Sequence, residues 1–355
     1  MDESMTDENW KLARRKGIGG SDAAAILGFS PWKSPMDVYL DKTGMAEEPD
    51  ANRQFLLELG QQLEPVIARL YERETGKHLQ QPSPALWHHS KHPVLLGTPD
   101  RIIAGERGVE LKSENQFQNE FGEPGTDQVP YHYLIQCAHY MALSNMPAWD
   151  VALLKSGASF AIYTIHRDLE LEEFIISELL LWWESHIVAQ KPPDVDSSDA
   201  WKRYLRQKFP SNILPIKSTD SAVMDDIRRL AASRLALEHW DEEKTEIENR
   251  LKLAIGEHEG FAGDFGKLTW RKAKDSQAID YERAFNYLAS HSGIAPDMLE
   301  VMLSNFTVTR PGSRRLLFQP RKGWTPYGGA PTEKPAGEFP SHPPALQERN
   351  RESAT

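Results

Sequence analysis

In the stretch Val94 to Ser113, two carboxylates and an ammonium recur at spacings that a β-hairpin would bring together. Glu110 and Lys112 lie two residues apart in a β-rich run and so share one sheet face, while Val109 and Leu111 point to the other and can enter a core. A three-residue turn over Glu106-Arg107-Gly108, with Gly108 left-handed, would put Asp100 on the same face as Glu110 and Lys112. Such a face can hold one or two Mg²⁺ ions through its carboxylates and keep a lysine beside an activated water. That is the equipment of metal-assisted phosphodiester hydrolysis. The spacing alone leaves a second reading open, a solvated hairpin with an ordinary cross-strand ion pair.

Three other segments carry groups that could serve this face. Glu64 borders an apolar helical stripe of Leu63, Ile67, Leu70 and Tyr71, where an acid must either reach solvent or meet a cation. Gln136 and Tyr140 sit one turn apart on a helix predicted over Tyr131 to Leu143. Four cations fall within Lys11 to Lys16, followed by Gly17-Ile18-Gly19-Gly20 and a helix expected to be capped by Ser21 or Asp22. A phosphate could dock there on free backbone N–H groups, the Ser21 hydroxyl and the Arg14 fork. A dinucleotide site fits poorly, because the third glycine and a preceding buried strand are missing. The run His88-His89-Ser90-Lys91-His92 reads as a solvated loop. Trp182 and Trp183 read as core or subunit interface.

The elements that hold these groups belong to a chain of 355 residues, enough for two domains at roughly 100 to 200 residues each. The net charge of −11 argues against a protein that coats nucleic acid by bulk attraction, so positive charge must be local or arrive as metal. The single cysteine, Cys137, can form no internal disulfide, and Met1 to Glu8 is acidic where a signal peptide would be basic and then apolar. A cytoplasmic protein with no membrane association is expected. The greasiest stretch, Phe174 to Val188, is broken by Glu178, Glu184 and His186, well short of the ~20 apolar residues that cross a bilayer.

Mixed apolar patterning over residues 1–190 predicts an α/β (α+β) domain. Paired prolines and a polar run predict a linker at 191–210. Residues 211–319 read as a mainly helical accessory region with a little β structure: one long helix or helical hairpin over 218–259, a strand pair over 263–274, a helix over 279–288 and an extended segment over 306–318. The composition after Pro320 predicts a disordered tail over 320–355.

Taken in order, these motifs resemble one family, the YqaJ-type viral recombinase nucleases, relatives of lambda exonuclease within the PD-(D/E)XK superfamily. The resemblance rests on Arg14 to Gly28, Ser30 to Pro35, Tyr39 to Gly44, Gly60 to Gly76 with Leu63-Glu64-Pro65, Pro99-Asp100, Glu110-Leu111-Lys112 and Gln136 to Tyr140. It covers roughly residues 8–190 and continues more loosely to Arg314-Arg315. It implies a restriction-endonuclease-like core with a central mixed sheet flanked by helices. It also implies a metal-dependent exonuclease of phage-type recombination that degrades the 5′ strand of linear duplex DNA. By position, Asp100 and Glu110 would be ligands of Mg²⁺, for which Mn²⁺ can substitute, and Glu64 would complete the shell of a second ion. Lys112 would orient or help deprotonate the attacking water, and Gln136 would position the lysine or the water. Arg14 and Ser21 would receive the 5′-phosphate, with Tyr140 and Asp22 in support. One departure is Ala138, where the family often has a second glutamine. The implied partners are duplex DNA ends, a single-strand annealing protein and further copies of the chain, in a bacterial host of phage or prophage. Two alternatives remain: a structure- or site-specific endonuclease of the same fold, and a non-catalytic DNA-binding accessory protein. Retention of Glu64, Asp100, Glu110 and Lys112 together weighs against the last.

Overall fold

A computed structural model describes residues 7–48, 50–114, 121–263, 266–272 and 281–291, with single positions up to 304. The chain divides into two compact units, Met1–Phe209 and Pro210–Thr355. The expected extended segment at 306–318 and the expected tail at 320–355 lie outside the described residues.

The first unit opens with helices α1 (Asp7–Arg15), α2 (Gly20–Ile26), α3 (Pro35–Lys42) and α4 (Ala51–Thr75). A two-stranded sheet follows from β1 (Trp87–His88) and β2 (Leu96–Gly97). The central sheet is built from β3 (Arg101–Ile103), β4 (Arg107–Glu114), β5 (Ala148–Lys155) and β6 (Ser159–His166), in the order β3-β4-β5-β6. Its pairs are antiparallel, parallel and antiparallel, and the parallel pair is joined through α5 (Tyr131–Ser144). Helix α6 (Leu169–Trp182) then continues into a π-helical turn to Val188. The mixed sheet with flanking helices expected of this region is therefore present.

Helices cover both faces of the sheet, as a parallel pair requires. On one side α4 buries Ile67, Ala68 and Tyr71 against Val109, Leu111 and Ala152. On the other, α2, α3, α5 and α6 pack with Trp149, Val151 and Leu153 into the larger core. Alternation along β4 sends Val109 and Leu111 into the α4 layer, as predicted, and leaves Glu110 and Lys112 facing α5. Each fully buried aliphatic side chain stabilises the fold by about 1.5–3 kcal/mol.

The expected hairpin turn is displaced. Ile103 pairs with Arg107, so the loop is Ala104-Gly105-Glu106, and Gly105 takes the positive φ of 72°. Gly108 lies inside β4, where a Cβ would stand 2.3 Å from the Trp149 ring. It is glycine because an indole presses on the strand, not because the chain turns there. The shift leaves the parity of the pairing intact, so Asp100 still falls on the face of Glu110.

The expected linker at 191–210 contains a helix, α7 (Asp199–Lys208), capped by Ser198 and packed through buried Ala200 and Trp201. The Trp201 indole donates to the Asp194 carbonyl at 3.0 Å, and Arg203 pairs with Asp37 of α3 at 2.7 Å. Pro192 and Pro193 end one helix without preventing Ser198 from starting another. In the second unit, α8 (Ser221–Ile255) is one continuous helix of 35 residues. The hairpin of β7 (Gly260–Gly263) and β8 (Gly266–Thr269) and the helix α9 (Tyr281–His291) follow close to the predicted positions. No helix among the described residues is long and apolar enough to cross a membrane.

Two buried acids tie the layers of the first unit together. Asp22 is 3% exposed and meets Lys42 at 2.7 Å and Lys33 at 3.0 Å, joining α2 to α3. Burial pushes its carboxyl pKa up, but the two lysines outweigh that and hold it well below the ordinary 3.8. Asp150 accepts from the Tyr71 hydroxyl at 2.6 Å, Arg107 at 3.0 Å and the Thr164 hydroxyl at 2.8 Å, which fixes α4 to the sheet. Replacing Asp22 with Asn leaves buried Lys42 only its longer contact with Asp41 at 3.4 Å and should lower the unfolding free energy at pH 7 by about 3 kcal/mol in urea titrations. Since the folded carboxyl titrates below its unfolded value, this stabilisation is present above pH 3.8 and fades as the pH falls further. The wild type and variant should therefore converge in acid.

Candidate metal and phosphate site

Glu110, at the centre of β4, is 2% exposed. Its Oε1 accepts from the Lys112 ammonium at 2.6 Å and from the Gln136 amide at 2.6 Å. Its Oε2 is buried and has no hydrogen-bond partner in the protein. An orphaned carboxylate oxygen in a protein interior is costly, so it implies a missing cation or proton. Asp100, just before β3, anchors its Oδ2 on the Leu111 N–H at 2.8 Å. Burial raises the pKa of Glu110 to about 7, with Asp100 the next contributor. Burial also raises that of Asp100.

Lys112 completes the cluster, with its ammonium 5.2 Å from the centre of the Tyr133 ring. Burial lowers its pKa, but Glu110 and Asp100 outweigh that and raise it, so the side chain stays an ammonium. Glu64 comes from α4, half-buried, its pKa raised by burial and then by Asp100 and lowered by Arg101 and Lys112. It thus lies within electrostatic reach of the cluster. Among the described residues, no three His, Cys, Asp or Glu side chains stand close enough to enclose one metal ion. Two carboxylates with an orphaned oxygen nevertheless fit a hard divalent cation such as Mg²⁺, which commonly takes one or two carboxylates and fills its shell with water and phosphate oxygens.

The second part of the site is the approach to α2. Gln136 donates to the Tyr140 hydroxyl at 3.2 Å. A Cβ on Gly20 would stand 3.0 Å from both Gln136 and Tyr140. The missing side chain at Gly20 thus lets the first turn of α2 touch the residue that holds Glu110. Arg14, exposed at the end of α1, lowers the raised pKa of buried Tyr140 and so faces the same region. Ser21 is exposed on the first turn. The N-cap is Gly19, not Ser21 or Asp22, and the Asp22 carboxylate accepts from the Gly19 N–H at 3.2 Å. Both oxygens of Asp22 are engaged by Lys33, Lys42 and Gly19, so it holds the approach in place and does not itself face it. Ala138 is buried in the core, so the glutamine on this helix that meets β4 is Gln136.

Other expectations resolve simply. His89 and His92 stack on each other at 5.1 Å, and His88 contacts the Pro93 carbonyl. Trp182 is core. Cys137 is fully buried, and burial raises its thiol pKa. The sequence reading missed Asp150 and Arg107. The signal was present, since an acid inside Ala148-Trp149-Asp150-Val151-Ala152 interrupts a run buried on both faces and has to find partners.

This site sits on a mixed α/β domain. Residues 9–147 match the YqaJ-like viral recombinase domain. The chain is 28% identical over 295 residues to the protein YqaJ of Bacillus subtilis (strain 168), spanning 79% of this chain and 91% of that relative. Among solved structures it is similar to the alkaline exonuclease LHK-Exo from Laribacter hongkongensis, with 19% identity and a TM-score of 0.41 over 57% of this chain and 97% of that one. It is also similar to a phage related exonuclease from Haemophilus somnus 129PT, with 15% identity and a TM-score of 0.38 over 49% of this chain and 96% of that one.

The raised pKa of Glu110 has a measurable sign. A carboxyl that titrates higher when folded contributes most to stability below its unfolded pKa of 4.5, and that contribution is lost as the pH rises through about 7. In EDTA the protein should lose about 3 kcal/mol of stability between pH 5 and pH 8. Glu110→Gln should flatten that slope in thermal melts, and added Mg²⁺ should stabilise the wild type more at pH 8 than at pH 5.

Proposed function

We propose that this chain is a Mg²⁺-dependent exodeoxyribonuclease that works from the ends of linear duplex DNA and removes the 5′-terminated strand. The observation that carries the reading is the buried Glu110 carboxylate, with one oxygen orphaned, beside Asp100 and under Lys112. The recombinase-domain match agrees with a substrate of broken DNA.

Asp100 and Glu110 would hold the ion, and Glu64 would serve a second one. Bound there, Mg²⁺ supplies Lewis-acid stabilisation of charge on the phosphate and the departing oxygen, and it offsets repulsion between carboxylates and DNA. Lys112, held as an ammonium, orients the attacking water or a phosphate oxygen instead of removing a proton. Gln136 fixes Glu110 and, through its contact with α2, sets the distance between the reacting phosphate and the docked end. Arg14 and the Ser21 hydroxyl would bind the terminal 5′-phosphate. In a protein of net charge −11, that local basic approach lets one end enter without coating the duplex.

The test compares linear duplex bearing or lacking a 5′-phosphate with closed circular DNA, each with Mg²⁺. Phosphorylated linear DNA should be degraded from its 5′ strand while the circle survives. Lys112→Ala should reduce the rate by about 100-fold or more, and Arg14→Ala should abolish the preference for phosphorylated ends. Cleavage of the circle at a matching rate would establish an endonuclease instead, and a fully active Lys112→Ala would remove the assigned site.

A further inference from the structure

Helix α8 carries a second pattern, independent of the nuclease reading. Val223, Leu230, Leu237, Lys244 and Leu251 recur every seven residues. Asp226, Ser233, Trp240, Ile247 and Ala254 follow each by three. This is the spacing of a coiled-coil seam. Much of it lies open: Leu237 is 68% exposed, Trp240 52%, Val223 41% and Ile247 40%, while Leu230 and Leu251 are half-buried. No other helix or strand among the described residues makes more than slight contact with α8, whose buried residues Ala231 and Ile255 lie off the seam. Other charges of the helix are paired within it, Arg228 with Asp225 at 2.7 Å and Arg250 with Glu246.

The two charged residues within the seam specify what can cover it. In a parallel pair of identical helices, Lys244 would meet Lys244 and Asp226 would meet Asp226, which is repulsive at both layers. In an antiparallel pair, each position of the first set packs against one of the second. The alignment that sets Lys244 opposite Asp226 also sets Val223 opposite Ile247, Leu230 opposite Trp240 and Leu237 opposite Ser233. Within the overlap every apolar layer then has an apolar or small partner, Leu251 and Ala254 lying beyond its end, and both charges are neutralised. A shift of one heptad places Asp226 against Leu251 and Lys244 against Ser233, burying two charges unpaired. Their present partners within the helix are distant, Glu248 at 3.8 Å from Lys244 and Arg229 at 4.0 Å from Asp226, so both are free to turn across. Arg234 meets its own counterpart near the two-fold axis, with Glu238 one turn away to offset it. The overlap from Val223 to Ile247 is about 37 Å of helix, more than three heptads.

We propose that α8 of one copy pairs antiparallel with α8 of a second copy, in the register fixed by Lys244 and Asp226. Light scattering or sedimentation on the full chain tests this with two variants. The wild type should associate, and Lys244→Asp, which opposes Asp to Asp twice per dimer, should halve the mass or weaken association at least tenfold. The combined exchange Asp226→Lys with Lys244→Asp should restore it, because an antiparallel register merely swaps the partners. A monomeric wild type, an association indifferent to Lys244→Asp, or a double exchange that fails to restore it would each overturn the proposal.

Discussion

The first unit is organised around the desolvation of one carboxylate. Glu110 sits at 2% exposure in the middle of a strand, beside a second acid, with half of its hydrogen-bonding capacity unmet. Left alone, such a group takes up a proton, and its pKa of about 7 expresses that tendency. Lys112 and Gln136 restrain it at one oxygen, and the other has no partner in the protein. The arrangement is held under electrostatic tension by the packing around it, and under the proposed function a divalent ion would relieve more of that tension here than at an exposed acidic pair.

Holding that tension requires rigid walls, and the buried polar anchors supply them. Asp150 draws Tyr71, Arg107 and Thr164 together, which fixes α4 against the sheet two turns beyond Glu64. Asp22 draws Lys33 and Lys42 together, which sets the approach of α2. That approach reaches Gln136 only because Gly20 has no side chain. Each anchor is an acid in an interior where an unpaired charge is intolerable, so each enforces a single arrangement of its neighbours.

Much of the site was legible in the sequence because strand alternation is insensitive to small register errors. Glu110, Lys112 and Asp100 were placed on one face by parity, and parity survived although the turn lies at Gly105 and not at Gly108. The error itself has a tertiary cause. Gly108 looks like a turn residue until Trp149, some forty positions later, is known to lie against it. The partners of Asp22, Lys33 and Lys42, cannot be assigned from its own segment, and the prolines before α7 suggest a linker where a serine cap and a buried tryptophan make a helix. Local chemistry was readable, and long-range burial was not.

Cys137 lies one residue beyond Gln136, fully buried, and is the only cysteine in these 355 residues. With its thiol pKa raised and its sulfur sealed between α5 and the larger core, it has no chemistry of its own to lose. It is therefore a native reporter. The rate at which a thiol reagent modifies this chain measures how often α5 lifts from its bed, without any label having to be introduced.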